Sequence, residues 1–163
     1  MNKSYQETLD LLYSLQSNAA AMSHWIQERR ANKNTNRLDL MRESLQIIGV
    51  NADALPVIHI AGTKGKGSTS AFVERILRES GYHTGMFTSP HLVTPQERIR
   101  LNGQPISEEK FVQTFWSVYD ALTSAHFTLG SCGRPTLPFF YFLTLMGLKT
   151  FQDEKVFSFS FFM

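Results

Sequence analysis

Seven residues carry the strongest chemical signal in the chain: Gly62-Thr63-Lys64-Gly65-Lys66-Gly67-Ser68. Backbone N–H groups close around a polyanion only where glycine admits a positive φ or removes a Cβ from the approach, and Gly62, Gly65 and Gly67 supply that freedom. Lys66 adds a full positive charge on a flexible stem, and the Ser68 hydroxyl suits a phosphate oxygen or a magnesium ion. The order departs from the common phosphate-loop pattern G-x-x-x-x-G-K-[ST], because Lys66 stands before the last glycine instead of beside the hydroxyl. Every component is still present, so nucleotide phosphate binding is the chemistry implied, with Thr63 in the same loop. A plain tight turn between strand and helix is the competing reading. Lys64 reads as the lysine that points into solvent.

The flanking elements decide between the two. Pro56 opens Val57-Ile58-His59-Ile60-Ala61, an apolar, β-branched run that reads as a buried strand. Beyond the loop, Ala71, Phe72, Ile76 and Leu77 predict the inner face of a helix, with Glu74 and Arg78 paired on its outer face and Gly81 as its stop. Strand character returns over residues 83–89, which makes a βαβ unit with a parallel sheet the economical topology. Asn102-Gly103 between alternating flanks predicts a hairpin. Ser107 followed by Glu108 and Glu109 starts a helix whose apolar face is Phe111, Phe115, Val118 and Leu122. Residues 126–138 read as loop, and Phe139 to Phe151 as a further apolar helix. Upstream, Leu9, Leu12, Leu15, Ala19, Met22 and Ile26 recur at helical spacing, with His24 and Trp25 as packing residues among them. Arg29, Arg30, Lys33 and Arg37 belong to a solvated stretch. Leu38, Met41, Leu45 and Ile48 mark a second short helix, with Gly49 as its left-handed cap.

Composition excludes other classes. With 163 residues, 42% of them hydrophobic and 18% charged, the chain has room for one globular core. A net charge of +2 gives no case for nucleic acid or a membrane surface as partner. Cys132 is the single cysteine, so an internal disulfide is excluded and a reducing compartment is expected. The sequence contains no apolar run of the roughly 20 residues that a membrane helix needs. The N-terminal residues lack the features of a leader, and a cytoplasmic location is the expectation.

Three ordered motifs resemble the folylpolyglutamate synthases of the Mur ligase group: GTKGKGS at Gly62 to Ser68, TSPHL at Thr88 to Leu92, and ERIRLNGQPIS at Glu97 to Ser107. YQETLDLLYSLQSNA near the start and PFFYFLTLM near the end extend the likeness to about residues 5–156. Lys64 is similar to the eukaryotic branch, where bacterial members have Asn, and the glycine between lysine and hydroxyl matches the folate branch of the group. The resemblance implies an α/β fold: the N-terminal part of a P-loop nucleotide-binding domain of Mur-ligase type over residues 1–156, its parallel sheet flanked by helices and incomplete at the C-terminus. It implies ATP and Mg2+ as cofactors, with reduced folate and L-glutamate as substrates. The carboxylate at the end of the folate tail is phosphorylated and then attacked by the amine of glutamate. Gly62, Thr63, Gly65, Lys66, Gly67 and Ser68 would hold ATP, Ser89 would ligate the metal, and Phe139, Phe140 and Tyr141 would border the folate. Helix packing is the rival account of those aromatics and the preferred one for Phe142. His91, Glu97 and Arg98 read as shaping the loop, and no catalytic residue is assigned.

The resemblance ends after Lys155-Val156, where residues 157–163 read FSFSFFM. The family continues there into a strand bearing a metal-binding glutamate, and later into a glutamate-ligase domain. The divergent Phe/Ser tail alternates as a strand would. From these residues alone the expectation is no ligase turnover, an exposed sheet edge, uncovered apolar helix faces and a tendency to associate through that edge. A non-catalytic nucleotide-binding fragment is the alternative function, and dihydrofolate synthase the nearer enzymatic one.

Overall fold

The computed structural model describes residues 3–15, 37–125, 137–156 and 158–162. The expectations for Ala19, Met22, Ile26, His24, Trp25, Arg29, Arg30, Lys33 and Cys132 fall outside the described residues. The order of elements is α1 (Tyr5–Ser14), α2 (Arg37–Ile47), β1 (Val57–Ile60), α3 (Lys66–Glu79), β2 (Thr84–Phe87), β3 (Ile99–Leu101), β4 (Gln104–Pro105), α4 (Glu108–Ser124), α5 (Phe139–Asp153) and β5 (Ser158–Phe162).

The five strands form one sheet in the order β1-β5-β2-β3-β4. β5, built from the tail, does not lie at an edge. It runs parallel to both β1 and β2, with Ser160 in register with Ile58 on one side and Met86 on the other. β1 and β2 therefore reach each other only through β5. The β3–β4 hairpin turns on Asn102 (φ 48°) and Gly103 (φ 78°), the two left-handed residues that match the turn to the strand twist.

Alternation along β2 puts helices on both faces. Thr84 turns to α3, where its hydroxyl donates to Glu74 Oε1 at 2.7 Å. Gly85 and Phe87 turn to α5: a Cβ on Gly85 would stand 2.7 Å from the Phe151 ring, and a Cβ on Gly147 would stand 2.7 Å from the Phe87 ring. The main core lies on this second side, where Leu12 of α1, Phe111, Phe115, Val118 and Leu122 of α4 and Phe142, Leu143, Leu145, Met146 and Phe151 of α5 are buried completely. Ser107 caps α4 by accepting from the Lys110 N–H, as its sequence position predicts. Gln152 of α5 accepts from the Asn51 N–H and donates to the Gly49 carbonyl, both at 2.8 Å, which ties the α2–β1 connection to the core.

Three expectations need correction. The run Val57–Ile60 is a strand, but an exposed one at the sheet edge, with Val57 47% and Ile58 38% exposed. A parallel strand is buried only when both of its faces and both of its neighbours are supplied. The inner face of α3 is also not the one the apolar pattern names: Phe72 and Ile76 are exposed, whereas Ser70 and Glu74 are buried. Glu74 can face inward because Arg78 Nε, at 3.1 Å, and Thr84 occupy its carboxylate. In α2, likewise, Leu38 is exposed and Ser44 is buried. Phe72 and Ile76 on α3, and Leu92 and Val93 in the turn after β2, leave apolar surface uncovered.

The close approach of β2 and α5 gives a direct test. Gly147→Ala forces its new methyl against the Phe87 ring and should lower stability by about 1–3 kcal/mol through overpacking, read by chemical denaturation. An unchanged midpoint would contradict the packing described.

Candidate phosphate-binding site

β1 ends at Ile60 and α3 begins at Lys66, so the glycine loop is the whole connection between them. Gly65 is the N-cap of α3 with φ 76° and ψ −1°, a left-handed conformation that penalises any residue with a Cβ. The first α3 backbone bond runs from the Thr69 N–H to the Gly65 carbonyl at 2.9 Å. The N–H groups of Lys66, Gly67 and Ser68 lie before it in the first turn, where a helix leaves its donors without intrahelical partners. They lie where the helix dipole is positive. Gly67 has helical backbone within α3, so what it contributes is the absent Cβ and not a positive φ.

Lys66 turns back across the loop, and its Nζ donates to the Gly62 carbonyl at 2.7 Å. Its charge is thereby held over the loop it would serve. Thr63, Lys64 and Ser68 are exposed. Ser70, one turn on, is satisfied by the Lys66 carbonyl at 3.0 Å and plays a helix-packing part.

A second turn follows β2 at the same edge of the sheet. Because β1 and β2 both run parallel to β5, with Ile60 opposite Phe162 and Phe87 opposite Phe161, their C-terminal ends lie level. They stand two strand spacings apart, about 10 Å. Ligands of open α/β sheets bind at this edge. Ser89 sits in the turn, and its Oγ accepts from Arg98 Nη1 at 2.7 Å, while His91 Nδ1 accepts from Arg98 Nε at 2.7 Å. Burial, and then the charge of Arg98, pushes the His91 imidazole below its ordinary value, and burial lowers Arg98 itself.

Glu97 shapes the same turn. Its carboxylate accepts from the backbone N–H groups of Leu92 at 2.9 Å and of Val93 and Thr94 at 2.8 Å. Those three bonds hold it at about 2, well below the usual 4.5. Leu92 and Val93 themselves project into solvent, so the turn is ordered by this carboxylate and not by apolar packing.

The aromatic candidates start α5. Phe139 stacks on Tyr13 with centroids 6.1 Å apart, and the Arg98 guanidinium lies 5.6 Å from its ring. Phe140 meets Phe87 edge-on at 6.0 Å. Tyr141 is half-buried against the core, and Phe142 is wholly buried in it, the packing role expected of it. Sequence reasoning missed the bond from Arg98 to Ser89: Arg98 ends the 3-10 turn Pro95–Arg98 just before β3, and no local periodicity marks where its side chain goes. It also missed the inward-facing Glu74, for which Arg78 four residues on and a hydroxyl at position 84 are the traces.

The strand, glycine loop and helix on a mixed sheet, parallel over β1-β5-β2 and antiparallel over β2-β3-β4, with helices on both faces, define the class, a P-loop α/β domain of the Mur ligase fold. Over 93–95% of its length the chain matches folylpolyglutamate synthases of animals and of Dictyostelium discoideum. It is 46% identical over 156 residues to human mitochondrial folylpolyglutamate synthase, covering 93% of this chain and 26% of that protein. It is 45% identical over 142 residues to the Arabidopsis thaliana folylpolyglutamate synthase, covering 84% and 24%. Among solved structures, the apo Lactobacillus casei enzyme superposes with a TM-score of 0.77 at 23% identity, over 98% of this chain and 35% of that one. The Mycobacterium tuberculosis enzyme complexed with ADP and AMPPCP gives 0.71 at 27% identity, over 87% and 32%. No protein-family model matches the chain. The chain spans about a quarter of the length of the curated relatives it matches.

The turn after β2 is testable through pH. Because the folded Glu97 carboxyl titrates near 2 and an unstructured one near 4.5, its contribution to the turn is complete above 4.5 and is lost as pH falls towards 2. The amide proton shifts of Leu92, Val93 and Thr94, followed by NMR, should titrate together with that low midpoint. A midpoint at the ordinary value would show that the three bonds do not hold in solution.

Proposed function

We propose that this chain supplies the nucleotide-binding part of an ATP-dependent ligase that lengthens the glutamate tail of reduced folates. The observation that carries the reading is the loop between β1 and α3. A left-handed Gly65, free N–H donors at a helix start and a lysine folded over them occur in a chain 46% identical to a folylpolyglutamate synthase. The relative complexed with ADP and AMPPCP supports a nucleotide as the ligand.

The chemistry follows from a poor electrophile. A carboxylate resists attack by an amine until one oxygen becomes a leaving group, and transfer of the γ-phosphoryl group of ATP to the tail carboxylate makes it one. The glutamate amine then forms the amide and phosphate departs. The part assigned to this chain is electrostatic: the amides of Gly65 to Ser68 and the Lys66 ammonium hold the phosphates and offset the charge that builds at the moving group. Gly62 and Thr63 complete the loop. Among the described residues no group of three His, Cys, Asp or Glu forms a metal site. The hydroxyls of Ser68 and Ser89 fit magnesium that arrives with the nucleotide, since such an ion takes most of its ligands from phosphates and water. When bound, that ion supplies positive charge to the phosphates. Phe139, Phe140 and Tyr141 remain the proposed folate-side residues, with Phe139 beside Arg98 as the best placed of them.

The 163 residues by themselves are expected to bind nucleotide without turnover, because catalysis by positioning needs both substrates held against the phosphates. Lys66→Ala should weaken binding of a fluorescent ADP analogue by about tenfold or more, the loss of one charged hydrogen-bonding group. An unchanged affinity in a folded variant would end the proposal.

A further inference from the structure

Among the described residues, Arg98 has no counter-charge. It is only 7% exposed, and its described partners are all neutral: the Ser89 hydroxyl, the His91 ring nitrogen and the face of Phe139. The nearest carboxylate in sequence, Glu97, has its oxygens committed to three backbone N–H groups. A buried guanidinium is costly unless an anion shares its site. Bracing a turn with two bonds to neutral acceptors does not require one.

Its surroundings are also those of a donor set. Of the five N–H donors that a guanidinium carries, one on Nε and one on Nη1 are used, which leaves Nη2 without a described acceptor. His91 accepts at Nδ1, which assigns its proton to Nε2 and makes that nitrogen a further donor. Ser89 accepts at Oγ and keeps its hydroxyl proton to give. A cation ligated by Ser89 alone would lie within a few ångströms of this guanidinium, a repulsion that an intervening anion removes.

We propose that Arg98, with Ser89 and His91, forms an oxyanion site at the C-terminal edge of the sheet, separate from the glycine loop and taking a carboxylate or a phosphate group. The inference rests on the ligase reading for its biological source, either the tail carboxylate or the transferred phosphoryl group. The anion chemistry itself rests on the residues. Metal binding at Ser89 then follows occupation of this site and does not precede it.

The test titrates the chain at millimolar concentration with orthophosphate and, separately, with glutarate, each with saturating ADP and magnesium. At least one of the two should bind, and the one that does identifies the source. Arg98→Met should weaken that oxyanion by about tenfold while ADP affinity stays the same. Lys66→Ala should do the reverse, so failure of the loop assignment and failure of this site are told apart. Arg98→Lys, which keeps the charge and is the variant more tolerant of folding, should recover part of the binding. The proposal is overturned if neither oxyanion binds, or if binding is equal in the original chain and in a folded Arg98 variant.

Discussion

The parallel pairing of β5 between β1 and β2 is the constraint on which the rest depends. β1 has no direct ladder to β2, so the strand that delivers the glycine loop is attached to the sheet through residues 158–162. That pairing sets the two C-terminal ends level and brings the loop and the Ser89 turn to one edge. Parallel ladders are slightly weaker per residue than antiparallel ones, and β1 has an open outer side with Val57 and Ile58 exposed. The phosphate loop thus hangs on an exposed edge strand, whereas the core under α4 and α5 is closed. α3 adds a second hold through Glu74, which bonds to Thr84 of β2.

Much of the architecture was legible because local signals and global fold agree. Asn102-Gly103 specifies its hairpin, Ser107 its helix, and Phe111, Phe115, Val118 and Leu122 their buried stripe, each through backbone or packing rules that act within a few residues. The loop was legible for the same reason, since Gly65 must be glycine to be left-handed at the start of α3. What failed was the orientation of α3. An apolar stripe predicts the inner face only when one partner surface dominates, and here the inward position of Glu74 depends on Arg78 and on Thr84, which lies in another element. The burial of β1 failed because it depends on neighbours that no short pattern encodes. The tail was readable as a strand, but its interior place between β1 and β2 was not, since register and strand order are set by long-range pairing.

The site was half legible in the same sense. Residue types gave the loop, and resemblance gave Ser89. The charges around Ser89 are a tertiary fact: Glu97 turns one way into the backbone of residues 92–94, and Arg98 turns the other way to Ser89 and His91. Adjacent residues of opposite charge therefore do not neutralise each other. One orders the turn, and the other is left to face whatever the turn receives.

The central claim is that the start of α3 is a preformed cradle for polyphosphate. Amide hydrogen exchange at Lys66, Gly67 and Ser68, measured with and without ADP, tests it most directly. These N–H groups lack helical acceptors, so the account predicts rapid exchange in the free chain and marked slowing when phosphate oxygens accept them, with little change in α4. Equal exchange at these three positions in the presence of saturating ADP would contradict it.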